Sequence, residues 1–307
     1  MSSRHKKKKA GIAGTFIVTV VRLCSLLPLR AAHALGSFLG ILFYYLPNKS
    51  KRIARINIQH CFPELDTAAQ DKLLKKTLKE TGKTFTEMGA MWYWPAEKLQ
   101  RYIYFDDPDA FEQLYHDKQH AGLLLSPHLG CWEIISIAIS GRAPLTSLYR
   151  PHRLEKLNRI ILNARQRSGA TLVPTTNSGV KTLYSKLRQK ELIGILPDQD
   201  PGEGKGIYAP FFGVSANTMP LAARLISQAK PRVYLTYSIR LEKGRGYKIM
   251  LKKAPEKILL ATPDEVVRII NELVEDSVRE TPEQYQWTYK RFKTRPDGSH
   301  FYAEPAK

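Results

Sequence analysis

Cysteine is scarce in this chain of 307 residues, which contains only Cys24, Cys61 and Cys131. An odd number of cysteines without a CxxC spacing argues against a disulfide framework and against a cysteine-rich zinc site. We therefore expect a protein that resides in a reducing compartment.

Acidic residues are also few, because 28 Asp and Glu stand against 48 Lys and Arg and leave a formal net charge of +20. A field of this sign attracts phosphates, anionic lipids or acidic proteins. The chain nevertheless lacks aromatic-interleaved basic repeats, zinc fingers and RNA-binding signatures, so we expect no nucleic-acid partner. Hydrophobic residues at 43% and charged residues at 25% are typical of a globular domain rather than a disordered chain.

No apolar run is a clean membrane span. Two apolar stretches, residues 10–29 and 31–47, follow a basic head within residues 4–9. Arg22 interrupts the first stretch, and the second is shorter than the roughly 18 to 20 uncharged residues that cross a bilayer. Basic residues on both sides favour a cytoplasmic location for both flanks. We predict that residues 1–48 form a helical membrane anchor that lies in the interface or re-enters it.

Two other interpretations of this segment are weaker. The small-x-small pattern at residues 32–34 is also found at signal-peptide cleavage sites, but Arg22 and Arg30 interrupt the apolar core that a signal peptide requires. A buried N-terminal hairpin would have to bury these arginines without partners. It would also leave the basic head unexplained.

Residues 49–307 contain no internal repeat, long linker or low-complexity tract, which indicates a single domain. Strand-like apolar runs alternate with helical patterns, and this alternation predicts an α/β domain with a central mixed sheet flanked by helices. The predicted strands are residues 122–126, 145–149, 171–174, 192–196, 233–239 and 247–251. The predicted helices are residues 68–94, 131–140, 154–167, 179–188, 219–228 and 266–274.

The segment from Leu123 to Glu133 carries the clearest chemical signal, because it leads from a buried strand through a loop into a helix. His128 follows the strand, where ligands bind in open α/β sheets and where a histidine can act as a general base. On one regular helix His128 and Glu133 would lie about 140° apart. Pro127 and Gly130 instead favour His128 in the turn and Glu133 in the first helical turn. The carboxylate could then hydrogen-bond the imidazole, although a histidine and a glutamate at this spacing can also be purely structural.

This segment resembles the HxxxxE (or D) motif of glycerolipid-type acyltransferases. With Trp132 before Glu133, it is similar to the bacterial late acyltransferases of lipid A synthesis, the lauroyl and myristoyl transferase family. Pro127 and Cys131 depart from the residues expected in and beside HxGxWE, and Tyr289-Lys290 stands where a His-Arg pair is usual. Further blocks occur in the family's order and cover nearly the whole chain: Tyr149-Arg150-Pro151, Asn163, Arg165, Arg167 and Gly169; Pro197-Asp198-Gln199-Asp200, Ala209-Pro210-Phe211-Phe212-Gly213 and Ala216-Asn217-Thr218; and Tyr285-Gln286-Trp287 with residues 291–296.

The resemblance implies a membrane-bound O-acyltransferase of the bacterial inner membrane, with its catalytic domain on the cytoplasmic side. It would move a fatty acyl chain from an acyl carrier protein thioester to a hydroxyl of a lipid A precursor, without a cofactor. His128 would remove the hydroxyl proton, Glu133 would orient the imidazole, and the alcohol would attack the thioester directly. The acidic carrier protein and the phosphates of a glycolipid acceptor both suit a chain of this positive charge.

Several further residues are candidates for substrate binding. Arg150 and Arg165 could bind phosphate or the carrier protein, or could be solvated surface charges. Oxyanion donors could be the Gly130 and Cys131 backbone N–H groups or these arginines. Asp198 and Asp200 could order the site, cap a turn or form a metal pair, and we favour a structural or site-ordering role because no further metal ligand is grouped with them. Phe211 and Phe212 could line an acyl groove or simply belong to the core.

Two apparent motifs do not match their chemistry. The glycines around Lys205 lack the GxxxxGK[ST] pattern of a phosphate-binding loop. His116 and His120 have the spacing of zinc ligands, but Asp117 replaces the glutamate of HExxH. We predict no metal site.

Three alternative functions remain open at this point. The acceptor could be another glycolipid, such as a phosphatidylinositol mannoside. The chain could instead be a hydrolase that releases free fatty acid, or a basic membrane-binding protein without enzymatic activity. The products formed from an acyl thioester would separate these possibilities.

Overall fold

A computed structural model describes residues 14–152 and 154–303. The basic head predicted within residues 4–9 lies outside the described residues. The helices are α1 (Gly14–Cys24), α2 (Leu29–Tyr45), α3 (Lys49–Cys61), α4 (Thr67–Tyr93), α5 (Ala96–Gln100), α6 (Pro108–His116), α7 (Trp132–Ser140), α8 (Glu155–Gln166), α9 (Asn177–Arg188), α10 (Leu221–Ala229) and α11 (Pro263–Glu280). The strands are β1 (Ile103–Phe105), β2 (Gly122–Leu125), β3 (Leu145–Tyr149), β4 (Thr171–Pro174), β5 (Leu192–Ile195), β6 (Ile207–Phe211), β7 (Val214–Thr218), β8 (Arg232–Arg240) and β9 (Tyr247–Lys253).

Seven strands form one sheet in the order β1-β9-β8-β2-β5-β3-β4. The strands from β8 to β4 are parallel to their neighbours, whereas β9 is antiparallel to β8 and parallel to β1. The prediction of a central mixed sheet flanked by helices is confirmed. All six predicted strands and all six predicted helices are present, with ends that shift by a few residues.

The middle of the sheet is buried on both faces, as its continuous apolar runs require. Leu123 and Leu125 of β2 belong to one core with α3, α9, α10 and α11. Leu124 points the other way and packs in a second core with α4, α6 and α7. The sheet therefore separates two cores, and its strand ends are the edges at which polar side chains can gather.

Strands β6 and β7 were not predicted, and they form a separate two-stranded hairpin. Their connection is the pair Phe212 and Gly213, with φ values of 52° and 72°. Two positive φ angles are what a tight type I′ hairpin turn needs, and Gly adopts such an angle without strain.

The N-terminal helices pack on the rest of the protein through glycines. A Cβ atom added at Gly82 of α4 would lie 2.0 Å from the Gly36 carbonyl oxygen of α2, and one added at Gly40 would lie 2.2 Å from the Leu78 carbonyl oxygen. The backbones of α2 and α4 therefore touch directly. The division into an anchor of residues 1–48 and a domain of residues 49–307 stays a prediction.

The membrane anchor also stays a prediction. Among the described residues, no single helix is both long and apolar enough to cross a bilayer, and the bent pair α2 and α3, at 83° to each other, meets the length and composition requirement only when taken together. The outward side of α1 and α2 is nevertheless apolar. Its exposed side chains include Phe16, Leu23, Phe38, Leu42 and Phe43, and Leu26 in the turn between the two helices is exposed as well.

Candidate active site

The predicted strand, loop and helix around His128 are present, with β2 ending at Leu125 and α7 beginning at Trp132. Because β2 is the central strand of seven, the loop between them lies at the middle of the sheet's carboxyl edge. The His128 side chain is 12% exposed, so the imidazole is confined but not sealed off. Its ring packs against that of Trp132, with the ring centres 5.0 Å apart.

The carboxylate that holds His128 is that of Asp198. Its Oδ1 lies 2.7 Å from the imidazole Nδ1, and its Oδ2 accepts a hydrogen bond of 2.8 Å from the His128 backbone N–H. The Gln199 amide nitrogen lies 3.1 Å from the imidazole Nε2 and can only donate. These partners place the proton on Nδ1 and leave a lone pair on Nε2. This is the imidazole tautomer that can act as a general base through Nε2.

Asp198 is buried, and its surroundings keep it ionised. Burial by itself would raise the pKa of the Asp198 carboxyl, but the charge and hydrogen bonds of His128 and the charge of Arg291 bring that pKa below its ordinary value. Burial and a hydrogen bond with Asp198 raise the pKa of the neighbouring Tyr285 hydroxyl well above its ordinary value. A neutral phenol therefore adjoins the negative carboxylate that holds the imidazole.

The hydrogen bond predicted between Glu133 and His128 is not formed, and the prediction that Glu133 directly orients the imidazole is wrong. Glu133 lies in the first turn of α7 as expected, but its carboxylate forms a two-point contact with the Arg165 guanidinium. The Nε to Oε2 distance is 2.8 Å. A buried carboxylate gains more from this bidentate charged contact than from one imidazole N–H.

Glu133 remains electrostatically coupled to the site. Burial would raise the pKa of the Glu133 carboxyl, but Arg165, and to a smaller extent the charge of His128, bring it below its ordinary value. Burial would lower the pKa of Arg165, but Glu133 raises it above its ordinary value. Arg165 is thus joined to the site through Glu133, whereas Arg150 is exposed at the end of β3, two strands away from β2.

Asp200 orders the loop after β5. Its carboxylate accepts hydrogen bonds from the backbone N–H groups of Gly202 and Thr294, at 2.7 and 2.9 Å, and from the Asn217 amide at 3.2 Å. These contacts tie the loop to β7 and to the C-terminal segment. They support the site-ordering interpretation of Asp200 rather than direct contact with substrate.

Phe211 and Phe212 are core residues, only 1% and 5% exposed. Their rings pack together with a ring-centre distance of 4.9 Å, and both have aromatic neighbours, Tyr285 for Phe211 and Trp287 for Phe212. This packing agrees with the core interpretation, and a role in lining an acyl groove stays a prediction. The two rings are buried because the β6–β7 hairpin closes against the C-terminal segment.

Backbone contacts hold the loop between β2 and α7, residues 126–131, on both sides of Gly130. We name it the catalytic loop after the candidate base His128 that it carries. Gln286 N–H donates to the His128 carbonyl at 3.1 Å, and Gly130 N–H donates to the Gln284 carbonyl at 3.0 Å. Gly130 has a φ of 60°, and a Cβ atom there would lie 1.7 Å from the Ser238 carbonyl oxygen. The Gly130 N–H is therefore already used and does not serve as the predicted oxyanion donor, whereas Cys131 N–H stays a prediction.

A sequence signal for the His128–Asp198 pair exists, although sequence reasoning missed it. Leu125 and Ile195 are partners at the ends of the adjacent parallel strands β2 and β5. His128 and Asp198 each lie three residues beyond those ends, so they meet at the same edge. In the described part of the chain, no group of three or more His, Cys, Asp or Glu side chains could hold a metal ion.

The chain is similar to bacterial acyltransferases over most of its length. A family model described as bacterial lipid A biosynthesis acyltransferase matches residues 2–294. The lipid A biosynthesis palmitoleoyltransferase of Escherichia coli K12 is 25% identical over 279 residues, which are 89% of this chain and 88% of the relative. The lauroyltransferase of the same organism is 23% identical, covering 92% and 91%, and a lipid A biosynthesis acyltransferase of Haemophilus influenzae is 27% identical, covering 91% and 87%. With this match, the resemblance noted in the sequence is confirmed, and the chain belongs to the bacterial lipid A biosynthesis acyltransferase family.

Proposed function

We propose that this enzyme transfers a fatty acyl chain from acyl carrier protein to a hydroxyl of a lipid A precursor, at the cytoplasmic face of the bacterial inner membrane. The observation that carries this proposal is the His128 imidazole, held through Nδ1 by Asp198 with a lone pair on Nε2, in a member of the lipid A acyltransferase family. The non-enzymatic alternative does not fit an acyltransferase family.

The reaction needs one base and no enzyme nucleophile. The Nε2 lone pair of His128 accepts the proton of the acceptor hydroxyl while that oxygen attacks the thioester carbonyl carbon. The tetrahedral intermediate collapses as the C–S bond breaks, and the departing thiolate takes the proton from the imidazolium. An ester C–O bond replaces the thioester C–S bond. Asp198 stabilises the imidazolium that forms in between.

Glu133 and Arg165 have a supporting role in this proposal. The Glu133 carboxylate adds negative charge near the positive charge that develops on His128 during transfer, while Arg165 keeps that carboxylate ionised. The Arg165 side chain is 27% exposed, so a guanidinium nitrogen that Glu133 does not occupy is available to the thioester oxyanion or to a phosphate. Arg150 is a further candidate for phosphate or carrier contact, since it lies at the same edge of the sheet.

The charge and the surface of the protein support the proposed donor and the proposed location. Acyl carrier protein is acidic, and the net charge of +20 favours its approach. A cluster of cations follows the end of α2: Lys49, Lys51, Arg52 and Arg55 line a depression of about 540 Å³ at the start of α3, and the Lys51 Nζ donates to the Tyr44 carbonyl of α2. An apolar face bordered by cations is typical of attachment to an anionic membrane interface.

The proposal is tested by incubating the purified full-length enzyme with acyl carrier protein thioesters of several chain lengths and a lipid A precursor. Mass spectrometry should detect a product that has gained one acyl chain. His128→Ala should abolish transfer with an unchanged circular dichroism spectrum. Transfer only to another glycolipid would show that the lipid A precursor is not the acceptor. Free fatty acid without acylated lipid would indicate a hydrolase. Near-normal turnover in His128→Ala would refute the assignment of His128 as the base.

A further inference from the structure

A buried ion pair lies next to the catalytic loop and has no part in the chemistry described above. Glu87, in the second half of α4, is fully buried, and Arg240, the last residue of β8, is 5% exposed. The Arg240 Nε lies 3.0 and 2.9 Å from the two Glu87 carboxylate oxygens, and its Nη2 lies 2.5 Å from Oε1. This geometry is a fixed, charge-assisted fork rather than a surface contact.

Arg240 also holds the catalytic loop directly. Its Nη2 donates to the Gly130 carbonyl at 2.9 Å, and its backbone N–H donates to the Gln284 side-chain oxygen at 2.8 Å. The backbone carbonyl of Gln284 in turn accepts the Gly130 N–H. Arg240 thus reaches both peptide groups of Gly130, one directly and one through Gln284, and Gly130 lies two residues beyond His128.

Glu87 extends the same network to the helix with the apolar outward side. Its Oε2 lies 3.0 Å from Nε2 of His33, which is a buried residue of α2. The Tyr247 hydroxyl of β9 donates to the same oxygen at 3.0 Å. The carboxylate is thereby surrounded by donors from α2, β8 and β9, and it connects α2 to the loop that carries His128.

Net stability does not explain such a pair well. Apolar residues of similar volume often stabilise a core as much as a buried ion pair or more, because taking two charges out of water is costly. The directional hydrogen bonds of the pair, by contrast, determine where the Gly130 carbonyl lies. A shift of about 1 Å in a catalytic group can slow an enzyme by roughly a hundredfold.

We propose that Glu87 and Arg240 are positioning residues for acyl transfer. They hold the Gly130 carbonyl, and through it they keep the His128 Nε2 in the geometry that the acceptor hydroxyl needs. The same pair joins the catalytic loop to α2. This inference rests on the proposed function, in which His128 is the base.

The test uses Arg240→Lys, which keeps the charge but loses the fork, and Glu87→Gln, which keeps the shape but loses the charge. The control is Ile270→Ala in α11, a buried substitution in the core on the other face of the sheet. All variants are assayed in full-length protein, well below the unfolding midpoint of each. We expect kcat to fall about tenfold to a hundredfold in both pair variants, with KM for the acyl thioester changed less than about twofold. In Ile270→Ala, kcat should stay near the wild-type value.

Nitrogen-15 NMR of the histidine side chains gives a second readout, with the His128 signals identified by their loss in His128→Gln. In the wild-type enzyme they should report protonated Nδ1 and unprotonated Nε2, and in Arg240→Lys they should show a mixture of tautomers. If neither pair variant folds, Thr84→Val replaces them, because it removes the 2.7 Å hydrogen bond from Arg240 to the Thr84 hydroxyl and, besides that, only the bond from this hydroxyl to the Glu80 carbonyl within α4. A smaller loss of kcat is then expected, and an unchanged kcat would overturn the proposal.

The outcomes separate the two proposals. Pair variants whose kcat and His128 spectrum match those of Ile270→Ala would overturn the positioning role while leaving His128 as the base. Transfer that survives in His128→Ala would overturn the proposed function itself.

Discussion

At the scale of single residues, the site depends on which partner each buried carboxylate meets. Asp198 receives the imidazole N–H and the backbone N–H of His128, and Glu133 receives the guanidinium of Arg165. Both carboxyls have a pKa below the ordinary value despite burial, because charged partners outweigh the loss of water. The site therefore holds two buried negative charges beside one histidine.

We expect Asp198→Asn to lower kcat by about 10² to 10⁴-fold, because an amide neither stabilises the imidazolium nor holds Nδ1 in its protonated form. The measurement is the rate of lipid acylation at saturating thioester. Asp66→Asn is the matched control, since Asp66 is the N-cap of α4 and asparagine caps a helix equally well. A loss in Asp198→Asn no larger than in the control would contradict the role of Asp198.

Acid should destabilise the enzyme through the same carboxylates. A group whose pKa is depressed by folding stabilises the native state above its unfolded pKa, and this contribution is lost as pH falls through the folded pKa. For Glu133, with an ordinary value of 4.5, we expect stability to decline below about pH 4.5. Urea unfolding midpoints between pH 3 and pH 7 should fall less steeply in Glu133→Gln than in the wild type. If the midpoints of both proteins fall equally steeply with pH, the lowered pKa of Glu133 would be contradicted.

At the scale of elements, glycines allow two close approaches on which the site depends. Gly130 lets the catalytic loop pass the end of β8, and the α2–α4 crossing needs backbone contact at Gly36 and Gly82. Neither requirement is visible from hydrophobic periodicity, because periodicity shows which face of an element is buried and not how closely its backbone approaches another.

We expect Gly82→Ala to destabilise the protein by about 1–3 kcal/mol or more, because its methyl group would meet the Gly36 carbonyl of α2. Thermal or urea unfolding measures the effect. Gly14→Ala in α1 is the control, since its methyl group would meet only Leu154 side-chain atoms, the nearest at 3.7 Å. Equal stability of the two variants would show that α2 and α4 do not cross this closely.

At the scale of the whole molecule, the two cores on either side of the sheet leave the apolar side of α1 and α2 exposed. Leu26 is 77% exposed and Phe38 is 63% exposed, which is costly in water unless a partner or a membrane covers them. The cations at the start of α3 lie at the end of α2. The exposed apolar side chains and the nearby positive charges together favour attachment to an anionic membrane interface.

We expect the double variant Phe38→Ser with Leu42→Ser to bind vesicles of phosphatidylcholine and phosphatidylglycerol less tightly, because apolar area inserted in the interface is lost. Cosedimentation measures the bound fraction. Replacing both Lys49 and Lys51 by alanine should weaken binding mainly to the anionic vesicles and mainly at low salt. Leu260→Ser, at an exposed leucine elsewhere, is the control and should bind like the wild type.

The sequence by itself determined the order of strands and helices, the place of His128 beyond a buried strand, and the family, because these depend on local periodicity and on short motifs. It missed the helices α3, α5 and α6. It also missed β1 and the β6–β7 hairpin, whose short strands carry little periodic signal. Only the tertiary structure decided that Asp198, rather than Glu133, holds the imidazole. Strands β2 and β5 are far apart in the sequence, and their pairing brings His128 and Asp198 together. Helix α8 carries Arg165, which binds the Glu133 carboxylate. A buried charged group can pair with any suitable group that the fold brings close to it. A local sequence pattern does not show which of those groups that will be.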